Sequence, residues 1–260
     1  VYDGGSDGFH RTMQVYDEKN IAFSGVREKN SDKQYVVEEI NGVKVGFIDY
    51  VYETDGTGTN LNGIPLAEED WDLVNSFDYN DLDSFYKEMQ NNIASMKSDG
   101  AQFIIAQMHW GIEYQLEEAD YQDEMAQKLC DLGVNAIIGG HPHCEQPIDV
   151  LDTSDGSGHM FCIYSEGNAL SNQRTYLMDE MPTGHTEDGA MVTLTLHQNS
   201  DGSVEIKDID LLPTWVYRYQ DNDGSKYYIL PLDDVANIEK TTGISDIQQE
   251  AQDSYDRTME

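Results

Sequence analysis

The 260 residues carry 15 Lys and Arg against 50 Asp and Glu, a formal net charge of −35, and 38% of them are hydrophobic. That length buries a sizeable core in one large α/β domain, or in a domain with an appendage, and no stretch approaches the apolar run that a membrane span needs. A field of this sign repels DNA, RNA and anionic lipid, so nucleic acid is not expected as a partner, and an anionic substrate must be met by bound metal ions or a local basic patch.

Cys130, Cys144 and Cys162 form no CxxC pair and give no sign of a disulfide framework or a zinc knuckle. Cys130 and Cys162 lie in apolar patterns and read as small buried hydrophobes, while Cys144 follows two histidines and reads as a weaker candidate for a soft ligand. The first residue is Val1 rather than methionine, with no signal-peptide pattern before it, so an upstream piece is expected to have been removed.

In chain order, the opening reads as a glycine-rich turn and a short helix with Phe9, Met13 and Tyr16 near one face, then a strand through Ile21 to Phe23. "QYVVEEINGVKVGFIDYVY" is a hairpin about Asn41-Gly42, a dipeptide suited to a type I′ turn. Residues 53–66 read as a long polar loop. Asp81 to Lys97 predicts an amphipathic helix through Leu82, Phe85, Met89, Ile93 and Met96, and "FIIAQMHW" a buried strand. A second helix with Met125, Leu129 and Leu132 inward stops at Gly133, and "VNAIIGG" is the next strand. This alternation is that of a parallel sheet covered by helices, whose sites sit beyond the carboxyl ends of the strands. After "GGHPHCEQP" the pattern turns antiparallel through "PIDVLD", "MFCIYS", "AMVTLTLHQ" and "VEIKDIDLLP", and beyond Pro213 a small hairpin and terminal helices are expected.

His109 ends one predicted strand, and His141 and His143 follow the next, so three imidazoles can converge across the spacing of neighbouring strands, about 5 Å. Neutral imidazole suits zinc, manganese, iron and related ions. In an extended segment i and i+2 point the same way, and Pro142 between the histidines favours a rigid presentation. Glu113, four residues past His109, is placed to accept a hydrogen bond from a ligating imidazole or to orient a water. His10, His159, His185 and His197 lie in turn-like or alternating segments and read as solvent-facing.

"MHWGIEY" at 108–114, "LGVNAIIGGHPHCEQPIDV" at 132–150 and "YSEGNAL" at 164–170 together resemble the bacterial capsule-synthesis family of poly-γ-glutamate synthesis proteins, CapA or PgsA type, itself similar to the calcineurin-like metallophosphatases. The resemblance implies an α/β fold, a four-layer α/β/β/α metallophosphatase-like sandwich over residues 1–212, followed by an acidic extension at 213–260. It implies two divalent metal ions, of a kind the sequence does not distinguish, with His109, His141 and His143 as ligands. Glu113 and Asp3 match family positions as candidate catalytic groups, and Asn168 and Glu166 as candidate substrate-binding groups, although Glu166 and Ala169 replace the family's usual leucine and phenylalanine. The family's early Gly-Asp, Asn-x-Glu and Asn-Asn-His motifs are not found at the front, where "VYDGG" matches the last motif's tail through Asp3 and Gly5. The domain is therefore expected to be N-terminally incomplete. The late "VANIEK", with Asn237 and Glu239, is read as coincidence.

By the same resemblance the expected activity is a metal-dependent hydrolase-like, phosphoesterase-type centre serving capsule or poly-γ-glutamate biosynthesis. Its partners are an anionic capsule polymer or its membrane synthase complex, at the cell surface, with anchoring through a region outside these residues. Two other readings stand beside it: a non-catalytic extracellular scaffold that binds polymer or synthase, and an enzyme of another metallophosphatase branch such as a nucleotidase.

Overall fold

In the computed structural model, residues 2–29 and 31–260 are described; Val1 and Asn30 lie outside them. Helix α1 (Gly5–Lys19) buries Phe9 and Met13, as its spacing predicts. The expected strand at Ile21 to Phe23 is irregular chain, with Ile21 half exposed. Strands β1 (Tyr35–Ile40) and β2 (Val43–Tyr52) form the predicted hairpin, with Asn41 and Gly42 at φ 52° and 88° as a type I′ turn demands. The polar loop after β2 contains a miniature hairpin, β3 (Asn60–Leu61) and β4 (Ile64–Pro65), and β5 (Ser76–Phe77) pairs with the end of β2.

Helix α2 (Leu82–Ser98) starts where the Asp81 side chain accepts a hydrogen bond from the Ser84 N–H, and it buries Phe85, Met89, Ile93 and Met96. Strand β6 (Phe103–His109), helix α3 (Asp120–Leu132) and strand β7 (Ala136–Gly140) follow, with Gly133 ending α3 in the left-handed region. Strands β8 (Ile148–Asp152) and β9 (His159–Ile163) complete a central sheet of order β1-β2-β6-β7-β9-β8. Here the expected antiparallel turn is half right: β9 pairs antiparallel with β8 but parallel with β7.

Strands β10 (Asp188–Gln198), β11 (Val204–Asp221) and β12 (Gly224–Pro231) make a second, antiparallel sheet. Helices α4 (Ile238–Thr242) and α5 (Gln248–Met259) gather with Trp215, Leu230, Leu232 and Ile247 around one end of it. Layers therefore stack as α2 and α3, the central sheet, then the second sheet, with helix again at the end of the last. The expected boundary at 212/213 falls inside β11, so the C-terminal segment shares a sheet with what precedes it.

One face of the central sheet is sealed by α2 and α3, with Ile48, Ala106, Met108 and Ile137 at 0% exposure. Ile48, Met108 and Ile137 each contribute about 1.5–3 kcal/mol by leaving water. The other face packs Val45, Phe103, Ala136 and Phe161 against apolar residues of β10 and β11. The sequence thus gives a rigid parallel core whose carboxyl ends carry the histidines.

Candidate metal centre

Strands β2, β6 and β7 run parallel, with Val51 beside His109 and His109 beside Gly140. That register sets the histidine of one strand end against the turn following the next. The base of the turn is fixed from below. Trp110 is fully buried, its backbone N–H bonds Gly140 O at 3.1 Å, and its indole N–H bonds Tyr164 O at 2.9 Å. Gly139 passes so close to this contact that a Cβ there would lie 1.9 Å from the Tyr164 carbonyl oxygen, so no side chain fits.

The rings of His109 and His141 lie 4.7 Å apart between centroids, and those of His141 and His143 6.5 Å apart. The segment is not extended as the i, i+2 argument supposed. His141 and His143 sit at φ 105° and 61°, and the Pro142 carbonyl is held by the Tyr114 N–H at 2.8 Å. Backbone strain of about 1–3 kcal/mol per such residue persists where surrounding structure imposes it, and it concentrates at functional sites.

Hydrogen bonds decide which ring nitrogens carry lone pairs. The Asn168 side-chain N–H group donates to His143 O, Gln173 Oε1 and Thr186 O, which turns its Oδ1 toward His143 Nδ1 at 2.9 Å. His143 Nδ1 is therefore the donor, and in the neutral ring its Nε2 carries the lone pair, facing Glu113 Oε1 at 4.0 Å. A lone pair and a carboxylate facing each other repel unless a cation or proton lies between them. His141 Nδ1 is buried with no hydrogen-bond partner among the described residues, an orphaned polar atom of the kind that calls for an explanation. His109 Nε2 is met by Asn62 Nδ2 at 3.0 Å, while the Tyr52 hydroxyl donates to Asn62 Oδ1 at 2.6 Å.

Burial, with the neighbouring imidazoles adding to it, pushes His109 down to about 3 and His141 down to about 4. Both rings are neutral at pH 7, the form that ligates metal. Unfolded imidazoles take up protons near their ordinary 6.5 while these folded ones do not. Stability from this source is thus fully present above pH 6.5 and is lost as pH falls from there through about 4 and 3, the His141 and His109 values. Histidine-resolved NMR is expected to show both rings still neutral at pH 5; midpoints near 6.5 would contradict this burial.

The structure brings together five of the seven expected site residues: the three histidines, Glu113 and Asn168. Asp3, just before α1, is near enough that its charge opposes the depression of His109. Glu166 is placed elsewhere. Its backbone N–H bonds Gly139 O, and it lines the cavity between the two sheets. Cys144 is fully buried and donates to the Gln115 carbonyl. His10, His159 and His197 are exposed, His10 while bonding the buried Asp70 at 2.7 Å, whereas His185 is half buried. Glu239 accepts from the Ile247 N–H, a structural task within the C-terminal helices.

Sequence reasoning missed Tyr52, whose ring lies 5.1 Å from His141, and Asn62, Tyr114 and Gln173. The available signals were Asn62-Gly63, a turn dipeptide inside the long loop, and the position of Tyr52 at the end of the strand neighbouring β6. Among the described residues, no group of three or more His, Cys, Asp or Glu is arranged to hold a metal ion. The donors are of the kind a divalent ion takes, an orphaned His141 nitrogen and a His143 Nε2 opposite Glu113, while His109 Nε2 is taken up by Asn62.

Residues 1–173 match the family model of the bacterial capsule synthesis protein PGA_cap. The PGA biosynthesis protein CapA of Bacillus subtilis is 26% identical over 214 residues, covering 80% of this chain and 48% of its own length. The capsule biosynthesis protein CapA of Bacillus anthracis is 26% identical over 210 residues, covering 80% and 45%. The chain spans about half the length of these curated relatives. Among solved structures, the sulfate thiohydrolase SoxB of Thermus thermophilus aligns with a TM-score of 0.43 at 12% identity, over 80% of this chain and 30% of that one. With its first 173 residues matched, the chain belongs to the bacterial capsule synthesis protein family.

Proposed function

We propose that this chain carries the metal-binding core of a capsule-polymer biosynthesis protein, with a hydrolase-like centre of phosphoesterase type working at the cell surface. The observation that supports it is the convergence of His109, His141 and His143 at the strand ends, with His141 Nδ1 orphaned and His143 Nε2 turned to Glu113. His109, His141 and His143 hold the divalent ions. Such ions, when bound, supply Lewis acidity toward a phosphoryl or acyl oxygen. Asn168 fixes the His143 tautomer and leaves its Nε2 facing the site. Glu113 is exposed at the rim and accepts a proton from, or orients, an incoming water. Asp3 adds negative charge on the His109 side.

The relatives are named for PGA and capsule biosynthesis, and the working partner in this reading is a capsule polymer or its synthase complex. With a formal charge of −35, contact with a polyanion requires cations at the contact. Among the described residues no helix is long and apolar enough to cross a membrane. The test is hydrolysis of bis(p-nitrophenyl) phosphate with manganese. Turnover that chelator abolishes and that His141→Ala removes supports the reading; no turnover with any divalent ion overturns the catalytic part.

Replacing Asn168 with alanine frees the His143 ring and is expected to weaken divalent-ion binding about 10–100-fold while leaving His109 and His141 in place. Manganese titration of the variant measures it.

The scaffold reading is favoured by one contact, the Asn62 amide on His109 Nε2, which occupies the lone pair that a metal needs. Metal-independent binding of polymer or synthase in a pull-down supports that reading.

A further inference from the structure

The two faces of the central sheet are finished very differently. Toward α2 and α3 the side chains of β2, β6 and β7 are sealed, but toward the second sheet Phe47, Ile105 and Ile138 are only half buried and Gln107 is exposed in mid-strand. Above them lies a cavity of about 650 Å³, walled on its far side by Val192, Leu194 and Leu196 of β10. Gln107 also borders a smaller cavity of about 180 Å³ that reaches His109.

Strand β10 is the edge of its sheet, bonded to β11 on one side. On its other side the short segment 166–168 pairs with its first residues: the Ala190 N–H donates to Glu166 O, and the Asn168 N–H to Asp188 O, both at 2.8–2.9 Å. In an antiparallel ladder these outward groups recur at every second residue, so Val192 and Leu194 also turn N–H and C=O to the open side. Their side chains, half buried, are the ones that wall the cavity. An open ladder edge beside an apolar trough is the arrangement that strand addition uses, with main-chain bonds for affinity and alternate side chains for specificity.

We propose that this trough is a docking site for one extended peptide strand, with apolar residues at alternate positions and basic residues at its ends. The strand continues along β10 the pairing that residues 166–168 begin, and its apolar side chains settle on Phe47, Ile105 and Ile138. A small apolar molecule fills the floor but leaves the ladder of β10 unsatisfied; a peptide does both. Basic ends follow from the chain's formal charge of −35.

The experiment is residue-resolved amide exchange on the whole chain, with a synthetic peptide of alternating valine and threonine flanked by lysine pairs as the probe. A peptide of the same composition, with its valines and threonines in separate blocks, is the control. The alternating probe is expected to slow exchange at Val192 and Leu194 by about tenfold or more, and the block peptide to leave both unchanged. Val192→Pro, which removes an outward N–H and no bond to β11, is expected to abolish the protection at the remaining Leu194 amide; if that variant does not fold, Leu194→Lys, which puts a charge in the trough and is read at Val192, is the alternative. Protection by neither peptide, or equally by both, overturns the proposal. So does protection that arises without peptide as protein concentration rises, which would make a second copy the occupant.

Discussion

Replacing Trp110 with alanine is expected to cost about 3–5 kcal/mol, the range for deleting a large, fully buried aromatic. Trp110 is 0% exposed, directly follows His109, and its indole donates to Tyr164 O across the Gly139 backbone. The substitution removes a packed volume and also leaves a buried carbonyl without its donor. For a chain of this size the loss amounts to a fall in melting temperature on the order of 10 °C. Trp110→Phe separates the two contributions: it keeps most of the volume and costs about 1–3 kcal/mol for the unsatisfied carbonyl. Thermal melts followed by circular dichroism measure both, and a change below 1 kcal/mol in the alanine variant would contradict the packing described beneath the histidine turn.

The second large effect is expected at Arg174. Its guanidinium is buried and bonds both Val216 O and Glu187, whose carboxylate also accepts from the Thr175 backbone and hydroxyl. Arg174→Met leaves Glu187 charged and buried without its partner, a loss of about 3–5 kcal/mol. Adding Glu187→Gln to the same chain is expected to restore part of it, because the stranded charge is gone. Gln173, the preceding residue, bonds Asn168, so loosening this segment also loosens His143. Denaturant unfolding of the two single variants and the double variant gives the coupling; additive losses would show that the pair does not act as one buried unit.

The parallel core was legible because its signals are local. Phe85, Met89, Ile93 and Met96 recur at helical spacing, the strands at 103–109 and 136–140 are apolar runs, and Asn41-Gly42 names its own turn. Long-range pairing left less trace. The parallel partnership of β9 with β7 is hidden behind the hairpin that β9 makes with β8. Pro213 reads as a strand breaker, yet β11 passes through it. Its position faces Ala190, whose N–H turns away toward Glu166, so the proline costs no ladder bond to β10.

At the site, the motifs told which rings meet but not how they are aimed. The left-handed backbone of His141 and His143 is imposed by contacts such as Tyr114 to Pro142, which no spacing encodes. Asn62 and Tyr52 enter from the loop and strand on the β2 side, brought to His109 by the register of β2 with β6. Glu166 was expected in the site only through the family resemblance, at the position where the family usually has leucine. The turn at Gly167, φ 72°, sends the Glu166 and Asn168 side chains to different places, one to the inter-sheet cavity and one to His143.

The central claim is that the imidazoles of His109, His141 and His143 bind divalent metal. Calorimetric titration of the metal-free chain with manganese and with zinc tests it most directly, beside a variant carrying His141→Ala and His143→Ala. The account predicts saturable binding by the chain, weakened at least about tenfold in the variant. Absence of binding, or binding that the two substitutions leave unchanged, would contradict it.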